Sequence, residues 1–241
     1  MIRTEGLTKE FAGKPAVVDL HLEVAAGEFF CFLGPNGAGK TTTIKLLTGL
    51  LRPTSGRALI GGHDIQGQPL AAKRLLGYVP DQPYLYERLT GREFMRLVAG
   101  LYGLDSSAAL RRIEELLVTF DVAEVADELT ATLSHGMRQK LCFASTFLHE
   151  PRVVVVDEPW VGLDPRSIRS VRTYLKQKTH EGLTVFMSTH TLPIVEEVAD
   201  RVGIIHKGRL LFLGTVAEIM ALASRPGSLE DVFLELTGED E

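Results

Sequence analysis

Only two cysteines and one tryptophan occur in 241 residues, and neither cysteine has a partner at the spacing of a metal or redox motif. Cys31 and Cys142 fall inside apolar runs, which excludes a C-x-x-C centre and points to buried thiols of a reducing compartment, the cytoplasm. Positive charge is also in short supply: 26 Lys and Arg stand against 31 Asp and Glu, for a formal net charge of -5. The basic residues are scattered, so no stripe exists of the kind that neutralises phosphate backbones, and nucleic acid is not an expected partner. No apolar run approaches the ~20 residues that cross a bilayer, and no N-terminal signal segment is apparent. Internal repeats and low-complexity tracts are missing too. A hydrophobic share of 45% nevertheless suffices for a buried core, so the expectation is a folded chain that works at a membrane only by attaching to one.

What is present is concentrated chemistry. Gly34, Pro35, Asn36, Gly37, Ala38, Gly39, Lys40 and Thr41 fit G-x-x-x-x-G-K-[ST], between an apolar run at 28–33 and a helical run at 42–47. Strand, Gly-rich turn and helix are the context a phosphate-binding P-loop needs. Glycines at 34, 37 and 39 are expected to open backbone conformations closed to other residues, so that N–H groups turn inward around an anion at a helix N-terminus. Lys40 would bridge the β- and γ-phosphates of a nucleotide. Thr41 offers its hydroxyl to Mg2+, and Thr42 a further donor to the phosphates.

A coarse pass divides the chain into residues 1–86 and 151–241, forming a core with antiparallel strands beside the P-loop unit, and a helical subdomain at 87–150. Leu20, Leu22 and Val24 alternate against His21 and Glu23, and Gly61-Gly62 closes a hairpin. From Glu87 the period becomes helical, with Thr90 and Glu93 as a capping box and amphipathic stretches at 111–119 and 138–148. From Pro151, strands at 153–156, 185–188 and 202–205 alternate with helices, the pattern of a mostly parallel α/β sheet. Thr215 with Glu218, and Ser228 with Asp231, start two short helices of an appendage at about 215–241.

Four consecutive valines, 153 to 156, make a strand buried on both faces, so Asp157 and Glu158 emerge at its carboxyl end, where α/β sheets place ligands. Asp157 would hold Mg2+, directly or through water. Glu158 can accept a proton from the water that attacks a γ-phosphate, or orient it.

The order of these motifs resembles the ATP-binding subunit of ABC transporters: P-loop, Leu133-Ser134-His135-Gly136-Met137, Asp157-Glu158, Gly162-Leu163-Asp164, then Ser188-Thr189-His190. The resemblance covers nearly the whole chain. Pro159–Pro165 and Leu229–Leu236 look like the single-cassette branch that exports drugs, polysaccharides or ions. It implies a P-loop NTPase core with an N-terminal antiparallel β subdomain and an inserted α-helical subdomain. Phe11 matches the aromatic that stacks on adenine, and His190 the histidine that contacts the γ-phosphate. Asp164 matches a loop running between two cassettes, and can also cap the helix that begins at Pro165. Ser134 and Gly136 keep the hydroxyl and backbone donors that bind the γ-phosphate held by the opposite copy, whereas His135 and Met137 depart from the usual signature. In the signature alignment His135 sits in a first helical turn facing that phosphate. Asp81 stands where the family has a Mg2+-touching Gln, with Gln82 one place later, and either could supply the contact. The implied protein binds ATP and Mg2+, hydrolyses ATP, and dimerises with nucleotide as a homodimer or paired cassette. It would dock near 83–103 on a separate membrane permease, on the cytoplasmic face of the cell membrane. A soluble ABC-type ATPase with no permease is the alternative.

Overall fold

The computed structural model describes residues 1–104, 106–221 and 229–238, and begins with a long hairpin. In β1 (Ile2–Phe11) and β2 (Lys14–Val24) the inward residues Ile2, Leu7, Leu20, Leu22 and Val24 are buried, while His21 and Glu23 face out. The chain then enters β3 (Phe29–Leu33), buried throughout, and α1 (Lys40–Leu47). β4 (Ser55–Ile60) and β5 (His63–Asp64) return to the first sheet, giving the order β2-β1-β4-β5. Gly61 and Gly62 form their two-residue turn at φ +58 and +85, a conformation that side-chain-bearing residues resist.

After α2 (Pro69–Arg74) and β6 (Leu76–Val79) comes a helical layer: α3 (Gly91–Leu101), α4 (Ser106–Thr119), a 3-10 turn at Thr130–Thr132 and α5 (His135–Thr146). Then follow β7 (Val153–Asp157), α6 (Pro165–His180), β8 (Thr184–Ser188), α7 (Leu192–Val198), β9 (Arg201–His206), β10 (Arg209–Gly214), α8 (Val216–Met220) and α9 (Leu229–Thr237). The second sheet has the order β10-β9-β3-β8-β7-β6, parallel except for the antiparallel edge strand β10.

Period two along buried strands splits the core into two clusters. Phe30, Phe32, Phe186, Val153 and Val155 pack with α1 and the first sheet. Cys31, Val154, Val156, Val185 and Met187 pack on the other face against helices, Phe143 of α5 among their neighbours. Each such side chain contributes about 1.5–3 kcal/mol by leaving water. Cys31 and Cys142 are free, buried thiols, and burial pushes the Cys142 thiol up to about 12, leaving it protonated and inert.

Both capping boxes foreseen at Thr90 and Thr215 form. Ser228 lies outside the described residues, although the helix expected after it is present as α9. Three elements went unassigned in the sequence: α2, β6 and β10. β6 has only four residues and contains Gly77, where a Cβ would come within 2.6 Å of Thr146 Cγ2. β10 carries an unbroken apolar run at 210–213, which has no period to display.

Candidate active site

The carboxyl ends of β3, β7, β8 and β6 lie side by side, and each releases a segment singled out above. After β3 the loop wraps into α1, whose N-cap Gly39 sits at φ +112 with no side chain capping the helix and no acidic residue in its first turn. Its free N–H groups therefore face outward with an uncompensated positive dipole end, a ready anion site. Gly37, at φ +78, also needs its missing Cβ. Gly34 does not occupy the left-handed region, contrary to expectation. Its requirement is space, since a Cβ there would come within 2.4 Å of Ile205 O on β9.

Lys40 is nearly buried, and its Nζ donates to Gly34 O at 2.6 Å and Pro35 O at 3.2 Å. Burial lowers the pKa of its ammonium, while Glu158 and Asp157 pull it back up. Glu158 Oε1 is 3.9 Å from Lys40 Nζ, and Glu158 Oε2 accepts from His190 Nδ1 at 2.9 Å. P-loop lysine, carboxylate and histidine thus form one chain of contacts across β3, β7 and β8. Glu158 itself is a non-glycine residue at φ +43.

Asp157 is fully buried. Its Oδ1 accepts from Ser188 Oγ at 2.5 Å, the Thr41 hydroxyl is near enough to favour its charged form, and Oδ2 has no partner. Burial holds this carboxyl above the usual Asp range against those two hydroxyls, and Asp81 and Glu158 raise it further. An orphaned, buried carboxylate oxygen beside a threonine hydroxyl fits a hard cation such as Mg2+. No group of three or more His, Cys, Asp or Glu that could hold a metal exists among the described residues. Phosphate oxygens and water would complete the shell, as Mg2+ favours. Asp81 lies close enough to act on Asp157 electrostatically, and its Oδ1 accepts from the N–H of Gln82 at 2.8 Å. Both residues are exposed.

Phe11 ends β1 with its ring 46% exposed and Lys9 Nζ 5.1 Å from its centroid, so it is a surface aromatic rather than a core one. The β1–β2 hairpin abuts the P-loop, where a Cβ on Gly39 would meet Ala16 O at 2.5 Å. Thr42 is half-buried in the first turn of α1, and Ala38 is buried against the β9–β10 turn through the Gly208 N–H to Ala38 O bond. Pro35 is half-buried and Asn36 exposed at the loop's rim.

Ser134 and Asp164 are exposed and Gly136 is half-buried. Ser134 caps α5, accepting from Met137 N at 3.3 Å, and Gly136 follows in its first turn. Asp164 caps α6 by accepting from Arg166 N and Ser167 N at 2.9 and 3.0 Å. These bonds and the Ser167 hydroxyl hold its carboxyl down near about 2. His135 packs over Gly162 of its own chain: a Cβ on Gly162 would come within 2.3 Å of His135 Nδ1. Ser188 escaped sequence reasoning as a site residue, the only signal being a hydroxyl at the end of an apolar strand.

Comparison with known proteins agrees with this geometry. The family model described as ABC transporter matches residues 17–161. The linearmycin resistance ATP-binding protein LnrL of Bacillus subtilis is 35% identical over 237 residues, covering 98% of this chain and 75% of that protein. The daunorubicin resistance ATP-binding protein DrrA3 of Streptomyces coeruleorubidus is 36% identical over 238 residues, covering 99% and 75%. A solved structure described as the ATP binding subunit of an ABC transporter superposes with a TM-score of 0.92 at 34% identity, covering 98% of this chain and 99% of that one.

Proposed function

This chain belongs to the ABC transporter family and is an ATPase with a P-loop NTPase fold, and from that premise we propose that it drives a substrate through a separate membrane permease by closing and opening a nucleotide-dependent dimer. The observation that carries the reading is the contact chain Lys40–Glu158–His190 beside the orphaned Asp157 oxygen. When ATP binds, the Lys40 ammonium turns from the Gly34 and Pro35 carbonyls to phosphate oxygens, joined by the N–H groups of residues 36–42. That frees Glu158 to take a proton from the attacking water. His190, with Nδ1–H directed to Glu158, holds the carboxylate in place and turns Nε2 outward, toward the γ-phosphate. Asp157 and Thr41 would hold Mg2+, which offsets charge developing between the β- and γ-phosphates, with Asp81 or Gln82 reaching it from the loop after β6. Phe11 offers its exposed face to adenine.

Ser134 and Gly136 bond only within their own helix end, and in this reading they grip the γ-phosphate held by a second copy or a paired cassette, with Asp164 at the junction. Tyr84, Tyr86, Leu97 and Leu101, large apolar side chains in the segment that follows the Asp81 loop, are exposed and offer the permease a seat. No helix among the described residues is long and apolar enough to cross a membrane. Drugs of the kind that appear in the relatives' names, linearmycin and daunorubicin, are the candidates for cargo. Phosphate release by the purified protein tests the hydrolytic core of this reading. Co-purification of a polytopic membrane protein from the source cells tests the partner, and a Tyr84→Glu, Leu101→Glu variant should lose that partner while still hydrolysing ATP.

A further inference from the structure

The carboxylate residues at the end of β7 are tied together by a side chain from the neighbouring strand. Ser188 ends β8, fully buried, in register with Asp157 on one side and with Phe32 of β3 on the other. A hydroxyl has one proton, and this one is committed: Oγ donates to Asp157 Oδ1 at 2.5 Å. Its lone pairs are then what the Glu158 N–H meets, at 3.3 Å from Oγ and 3.2 Å from Ser188 O. That N–H belongs to a residue at φ +43, a conformation that costs a side-chain-bearing residue on the order of 1–2 kcal/mol and persists only where its surroundings hold it.

We infer that Ser188 is a positioning residue for hydrolysis: one hydroxyl fixes the Asp157 carboxylate so that Oδ2 stays free, and anchors the Glu158 backbone so that its carboxylate meets Lys40 and His190. The inference rests on the hydrolytic role proposed for Glu158. Alanine at 188 would leave Asp157 with one donor fewer and Glu158 with only the long bond to the strand carbonyl. Nothing in the P-loop or in the Phe11 surface would change, so nucleotide binding and turnover should separate.

The experiment is a double-mutant cycle with a metal readout. Ser188→Ala should lower kcat about tenfold with KM for ATP within twofold, and should weaken Mn2+ binding, followed by electron paramagnetic resonance with a non-hydrolysable ATP analogue, about tenfold, the usual effect of removing a group that orients a metal ligand. In the Glu158→Gln protein the same substitution should change residual turnover less than twofold, because the residue it positions has already lost its function. A general loosening of the fold would instead lower both proteins alike. Ser188→Cys keeps the volume and weakens the hydrogen bond, and should lose at least threefold in kcat, which preserves the test if the alanine variant folds poorly. Absence of turnover in the unsubstituted protein defeats the hydrolytic reading itself. Full turnover and Mn2+ affinity in both Ser188 variants, with Glu158→Gln inactive, defeats the role of Ser188 alone.

Discussion

Asp157→Asn should make the nucleotide-free protein more stable while disabling it. A buried charged acceptor with no partner costs about 1–3 kcal/mol, and Asp157 Oδ2 is such an acceptor, with Glu158 and Asp81 adding like charge nearby. The amide removes that charge and can keep its Oδ1 bonded to Ser188, while its new N–H groups face an acidic neighbourhood. Against this, the Ser188 bond loses its charge assistance and Lys40 and the Thr41 hydroxyl lose a favourable neighbour, together about 1 kcal/mol. The net gain is about 1 kcal/mol, or ~2–4 °C in the unfolding midpoint for a chain of this size. With ATP and Mg2+ the order should reverse: a ligand at 100 times its dissociation constant adds ~2.7 kcal/mol to the parent protein, and less to a variant that holds the cation poorly. Differential scanning calorimetry of both proteins, with and without ATP and Mg2+, measures all four midpoints. A nucleotide-free variant that melts below the parent, or an equal upward shift of both with ligand, would refute the assignment of Asp157 as a carboxylate kept unpaired for a cation.

Gly34→Ala places a methyl within 2.4 Å of Ile205 O, so the loop must move away from β9; ATP affinity by calorimetric titration should fall at least tenfold with the circular dichroism spectrum unchanged, and retained affinity would show that the loop tolerates the shift. His149 Nε2 donates to Leu76 O at 3.1 Å, the ring stacks on Tyr102 at 3.8 Å, and burial lowers its pKa. Its folded value lies below its unfolded one, so the unfolded chain takes up the proton first. Stability should therefore be full above the unfolded value of about 6.5 and decline as pH falls through it. Urea midpoints between about pH 7.5 and 5 should show this decline, smaller in His149→Leu; equal slopes in the two proteins would assign the decline to other groups.

The strand-to-loop placement of residues 34–41 and 157–158 was legible because it is local: an apolar run, then the polar residues that end it. The same holds for the capping boxes, where side chain and backbone lie three residues apart. Long-range register was not legible. Ser188 meets Asp157 only because β8 lies beside β7, and nothing in a serine after an apolar strand announces that pairing. Gly34 is needed for the proximity of β9, some 170 residues away, whereas the sequence suggested a φ requirement. Phe11 could have been a core residue until the hairpin placed its ring on the surface. β6 and β10 were hidden by shortness and by an aperiodic apolar run, and their assignment came from partners on the adjacent strands.

The most direct test of the central claim is sedimentation of the Glu158→Gln protein with and without ATP and Mg2+. If the site needs a second copy's Ser134 and Gly136 to grip the γ-phosphate, the variant binds ATP, cannot remove that phosphate, and accumulates as a dimer that returns to monomer with ADP. A protein that stays monomeric at saturating ATP while turning it over at the unsubstituted rate would contradict both the catalytic role of Glu158 and the shared site.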